Sequence, residues 1–147
     1  MGLVLLWCCG SAFAAWPFGG AITRIPVPAR DFTVEVEDVG GTRVSLTRAS
    51  MAGEVFVWGD LGAGQVSIPF EDVEQFSVIA ASDPEHRILE VTVRGVEPVR
   101  VEVEDDVAWF GRAAWGLYRV EMADVRVVRF SGLTETAQPK GAGSIVR

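Results

Sequence analysis

The chain has 147 residues, 49% of them apolar, and a formal net charge of −7. That length suits a single domain, and the apolar share is ample for a packed core. The acidic balance argues against a general nucleic-acid binder, which needs clustered Lys and Arg to displace counterions from phosphates.

Residues Leu3 to Ala15 form an apolar, uncharged run. It is too short for a membrane span, which needs about 20 apolar residues. It has the length of a signal-peptide core and contains Ala12-Phe13-Ala14, an A-x-A cleavage pattern. Residues 1–14 therefore read as a signal peptide, although no Lys or Arg precedes the run, and the expected location is periplasmic or extracellular. Both cysteines, Cys8 and Cys9, lie inside it. Lipid on either would tie the chain to a membrane, but Trp7 stands where a lipoprotein signal has a small residue. The two cysteines read instead as small apolar members of the leader. Cleavage after Ala14 leaves a mature chain without cysteine, hence with no disulfide, thiolate nucleophile or Cys metal site.

Residues 15–31 carry three prolines and the pair Gly19-Gly20, and read as an extended lead-in. From Phe32 a two-residue period takes over. Phe32, Val34 and Val36 alternate with Thr33, Glu35 and Glu37, and Gly40-Gly41 turns the chain into a second strand from Thr42 to Thr47. Strands are predicted over Val55–Trp58, Gln65–Phe70 and Val73–Ala80. The scheme then restarts with Ile88–Val93, Val99–Val103, Val107–Phe110, Leu117–Met122 and Val125–Phe130. No long segment keeps a helical period, so the chain reads as all-β. Residues 132–147 are small, polar and Gly-rich and read as a disordered tail.

One phrase occurs twice. GDLGAGQVSIPFEDV, from Gly59 to Val73, aligns without gaps on GRAAWGLYRVEMADV, from Gly111 to Val125. Gly59 matches Gly111, Gly64 matches Gly116, and the apolar pairs are Val66 with Tyr118, Ile68 with Val120 and Phe70 with Met122. The glycines are expected to bracket a turn that needs positive φ, and Asp72 and Asp124 to hold a short corner through their side chains. Each phrase has two strands upstream. The expected architecture is therefore two tandem units of about fifty residues, 32–80 and 87–131, sharing a core as a pair of small barrels or a β-sandwich.

The stretch Gly64-Gln-Val-Ser-Ile-Pro-Phe-Glu-Asp-Val73 resembles an element of exported bacterial small β-repeat proteins, seen also in PRC-barrel-like small barrels. There a strand ends in Ile-Pro or Leu-Pro and turns through an acidic corner into the next. The second copy has Glu121 in place of Pro69. The resemblance implies a small barrel or sandwich and a binding or scaffolding role, and it transfers no active residue.

Little in the chain suggests catalysis. His86 is the sole histidine, in the loop between the units, so a triad or transition-metal site lacks partners. GDLGAG lacks the Lys-Ser/Thr of a phosphate loop. Glu102, Glu104, Asp105 and Asp106 read as a solvated strand face and turn rather than a calcium site. No metal and no cofactor are expected. The aromatics are the better candidates. Trp58 and Phe110 are equivalent and expected in the core, which leaves Trp109 on the opposite face, and Trp115 stands at a turn tip where the first copy has Ala63. Trp109, Trp115 and Tyr118 are thus the candidate binding residues, for a protein partner or envelope polymer, or alternatively for a carbohydrate or other ligand stacked on an exposed indole. A hydrolase using His86 as base is the remote alternative.

Overall fold

The computed structural model describes residues 22–133. The expected leader with Cys8 and Cys9, the start of the lead-in and the segment from 134 onward lie outside the described residues. Residues 22–31 run without regular structure into the first strand, as their prolines dictate.

Ten strands follow: β1 (Phe32–Asp38), β2 (Arg43–Met51), β3 (Phe56–Leu61), β4 (Gly64–Pro69), β5 (Val73–Ala80), β6 (His86–Val93), β7 (Val99–Glu104), β8 (Ala108–Ala113), β9 (Gly116–Glu121) and β10 (Val125–Leu133). The 3₁₀ turns Phe70–Asp72 and Met122–Asp124 lead into β5 and β10. The class is all-β, and each strand predicted from alternation has its counterpart. β10 runs two residues into the segment expected as tail, and His86 opens β6 rather than lying in a loop.

All ten strands belong to one curled antiparallel sheet, in the order β4-β3-β7-β6-β5-β10-β1-β2-β8-β9. The described chain therefore does not divide into two units that each keep their own strands. The two halves are interleaved. The β3–β4 hairpin of the first half pairs with β7 of the second, and the β8–β9 hairpin of the second pairs with β2 of the first. Read from either end, the order lists equivalent strands. β5 and β10 meet at the centre, where Phe76 pairs with Val128, its own equivalent 52 residues on. The first hairpins correspond at 55 residues, since Val36 pairs with Val128 as Val91 pairs with Phe76. Both offsets recur in Asp60↔Glu102 and Thr47↔Arg112. The three extra residues of the first half fall around Arg48 to Gly53, where the β2–β8 register shifts and Arg48, Ala52 and Gly53 adopt positive φ.

Gly116, at the hairpin turn, takes positive φ (150°) as expected, but Gly59 and Gly111 do a different job. Gly59 and Gly111 lie inside β3 and β8, away from any turn. A Cβ on Gly59 would stand 2.7 Å from the carbonyl oxygen of Glu102, and one on Gly111 2.7 Å from Cβ of Leu46. Each glycine lets a strand lie close against a strand of the other half. Positive φ is needed instead at the hairpin tips, as at Gly41 (86°) and Gly62 (61°). The acidic corners are also held differently from the expectation, by backbone and not by side chains. Neither 3₁₀ turn has a side-chain cap. The backbone holds them: Phe70 N–H donates to Val55 and Met122 N–H to Val107. The carbonyls of Asp72 and Asp124 accept from Arg94 and Val39 at 2.8 and 2.9 Å, joining each corner to the equivalent hairpin.

The core lines the inner face. Phe32, Phe70, Phe76 and Trp109 are fully buried and join the half-buried Phe130, with neighbouring ring centroids 4.9–6.3 Å apart. Elsewhere Glu37 is almost covered, with Arg43, Arg126 and Arg129 within 3.5 Å of its carboxylate. The hydrogen bond from Arg129 does most to hold its carboxyl below the usual 4.5, aided by the charges of all three arginines and opposed by partial desolvation. A depressed folded-state value adds stability above the unfolded-state pKa, and that stability is lost as pH falls through the folded value. Wild type is therefore expected to lose melting temperature more steeply below about pH 4 than Glu37→Gln, as thermal scans across pH 3–7 would show. Parallel curves for the two proteins would refute the assignment.

Candidate functional site

Strand order decides what is left open. β4 and β9 are the two edges of the sheet, equivalent to each other, and among the described residues each has one unpaired side. An edge displays unmatched backbone donors and acceptors, which attract another strand unless something blunts them. β4 is blunted. Its residues Gln65 and Ser67 are polar and exposed, and Pro69 has no N–H to offer. At the same positions β9 has Leu117, Arg119 and Glu121, with Arg119 and Glu121 paired at 3.0 Å.

The tip before β9 carries Trp115, 71% exposed, the most exposed aromatic side chain among the described residues. Ala63 fills the equivalent place on the other hairpin, so packing does not require an indole here. The Trp115 ring meets Tyr118 edge-on at a centroid distance of 6.4 Å. Tyr118 lies directly opposite Gly111 across β8–β9, and its half-buried ring packs against the core. That burial raises the phenol above its usual 10, with smaller contributions from the carboxylates of Asp38 and Asp124. Leu117 and Val120 are half-exposed beside it. The open edge of β9 thus carries Tyr118 and Val120 on its inner face and Leu117, Arg119 and Glu121 on its outer face, with the Trp115 indole at its tip.

Trp109 does not belong to this strip. It is fully buried, stacked on Phe70 at 5.4 Å and edge-on to Phe76 at 5.5 Å, so it cannot meet a ligand at the surface. The faces of β3 and β8 are opposite to those expected. Val57 and Trp109 point inward, while Trp58 and Phe110 are only half-buried. The reason lies two residues along: Gly59 and Gly111 share the face of Val57 and Trp109, and their close approach to the neighbouring strand fixes that face as the inner one. Of the three candidates, the structure brings Trp115 and Tyr118 together and removes Trp109. Leu117 and Val120 were not singled out in the sequence, because their openness depends on which strand ends the sheet.

His86 stands in an open depression with Glu85, Glu104, Asp105 and Asp106. Its Nδ1 is 3.1 Å from Asp83 Oδ2, within ion-pair reach but outside hydrogen-bond geometry. No Ser, Thr or Cys lines that depression. Among the described residues, no group of three or more His, Cys, Asp or Glu is placed to hold a metal ion. Comparison with family models, curated proteins and solved structures returns no match to this chain.

Proposed function

We propose that the chain is an exported, non-enzymatic β module that binds a protein partner or takes a place in a cell-envelope assembly. The observation that carries this reading is the contrast between two equivalent edges, one blunted by Pro69 and the other bearing Trp115, Leu117, Tyr118 and Val120. An indole exposed where the fold is satisfied by alanine is a costly surface feature unless something covers it. The non-enzymatic part draws on His86, whose neighbours are carboxylates rather than a nucleophile. Export draws on the apolar leader and its A-x-A pattern.

The test has two readouts. The intact mass of the protein recovered from its own host, expected to begin at Ala15, checks export. Lipid on Cys8 or Cys9 would add a membrane anchor, and a full-length cytoplasmic chain would overturn export. A photo-crosslinking side chain at position 115 is expected to trap a polypeptide in the host envelope, and the same group at position 63 to trap none. Equal yields at both positions would remove β9 as the binding edge.

The second reading, a carbohydrate- or ligand-binding module, uses the same exposed indole as a stacking plate. It is poorer for losing Trp109 to the core, which leaves Trp115 with Tyr118 as its aromatic contacts. Glycan binding abolished by Trp115→Ala, with the melting temperature unchanged, would favour it over a protein partner.

A further inference from the structure

We propose that the occupant of the β9 edge is a second copy of this chain, its β9 laid antiparallel across a two-fold axis so that two ten-stranded sheets become one. This names a partner for the edge and rests on the reading of β9 as a docking strand. A two-fold contact sets a strand against its own reverse, so the strand must complement itself. An axis perpendicular to the sheet keeps inner-face residues opposite inner-face residues, so it must pass through a residue rather than between two.

Few registers survive that rule. An axis through Leu117 or Val120 overlaps only three residues of β9, 116–118 or 119–121. An axis through Arg119 sets two guanidinium groups face to face, which is repulsive. An axis through Tyr118 overlaps most of the strand with no like charges directly opposed. Tyr118 then meets its copy, Leu117 meets Arg119, Gly116 meets Val120, and Trp115 meets Glu121. The aliphatic stem of Arg119 covers Leu117, and the Trp115 indole N–H faces a carboxylate.

The backbone is compatible with this register, as with any that sets the odd-numbered positions of β9 against each other. Pro69 pairs opposite Phe56 with no N–H to give, so at that position the amide side faces away from the neighbouring strand. Glu121, its equivalent, therefore turns its N–H to the open edge, and by alternation Arg119 and Leu117 do likewise. Those are the residues that the Tyr118-centred register joins by hydrogen bonds, 117 to 119 and 115 to 121. The positions that face each other are also those where the two edges differ: Trp115 and Glu121 against Ala63 and Pro69, and Leu117 and Arg119 against Gln65 and Ser67. The molecule already makes one such junction, where β5 meets its equivalent β10.

The test borrows its substitutions from the other edge. Trp115→Ala and Glu121→Pro give β9 residues that β4 already carries, and Glu121, at φ −83°, needs little movement to accept a ring that Pro69 holds at −56°. Sedimentation of the chain as recovered from its host is expected to give twice the chain mass. The double variant is expected to be monomeric with an unchanged circular dichroism spectrum, its melting temperature lower only by the concentration-dependent part that dimerisation adds. A wild-type monomer at micromolar concentration, or a dimer that survives the double variant, would overturn the proposal. A monomer that still crosslinks from position 115 to a different protein would overturn the second copy alone. A monomer with no crosslink would take the docking strand with it.

Discussion

Trp109→Ala is expected to remove about 3–5 kcal/mol of folding stability, the range for deleting a buried aromatic. The ring is fully buried where Phe70, Phe76 and Phe130 converge, with centroid distances of 5.4, 5.5 and 6.1 Å. Its neighbours come from the first 3₁₀ turn and both central strands, so no single loop can collapse to fill the void. A domain of this size has about 5–15 kcal/mol in all, and the loss corresponds to a fall of roughly 10–25 °C in melting temperature. Scanning calorimetry would measure it. Trp109→Phe is expected to lose much less, because the indole N–H is buried with no hydrogen-bond partner and phenylalanine removes that unsatisfied donor. Trp115→Ala, on the exposed tip, is expected to cost far less, no more than association at the β9 edge contributes. Equal effects at 109 and 115 would mean that the aromatic cluster is not the centre of the core.

The contrast between these two tryptophans shows what could be read from residues alone. All ten strands were legible because β-branched and aromatic residues recur with period two between glycine-rich turns, and that signal is local. Trp115 was legible as a candidate because the repeat supplied Ala63 for comparison. Alternation gives two faces but does not say which is inner, so it does not place Trp109. Size favoured Trp58 with Phe110, whereas the close approach of Gly59 and Gly111 to strands far away in sequence favours Val57 with Trp109. The interleaving was illegible for a related reason. Two halves that keep their own hairpins and two halves that exchange them have the same alternation, and they differ only in whether β3 pairs with β2 or with β7. The open edge follows from that order, which is why Leu117 and Val120 went unnoticed while the substitution of Glu121 for Pro69 was visible.

Gly59→Ala is expected to cost about 1–3 kcal/mol, the range for forcing an extra group into a packed site, and to do so without rescue. The added carbon would lie 2.7 Å from the backbone oxygen of Glu102, 3.0 Å from Val103 Cγ1 and 3.1 Å from Val101 Cβ. Smaller side chains at 101 and 103 leave the carbonyl where it is, so β7 itself must move, and with it the contact between the two halves. Gly111→Ala meets a side chain instead, Leu46, at 2.7 Å from Cβ and 2.9 Å from Cδ1. Leu46→Gly removes all three contacting atoms and is therefore expected to recover part of the Gly111→Ala loss, giving a non-additive double-mutant cycle, while Val101→Ala, which keeps its Cβ, recovers none of the Gly59→Ala loss. Denaturant midpoints of the single and double variants would give both cycles. Gly62 is the control. It sits at a tip with φ +61° and nothing within 4 Å of its missing Cβ, so Gly62→Asn is expected to be nearly neutral because asparagine tolerates the left-handed region. Gly59→Asn is expected to be at least as harmful as Gly59→Ala. If Gly59 and Gly62 responded alike to asparagine, backbone freedom and not strand proximity would explain the repeated glycine, and the close packing of β3 on β7 would lose its support.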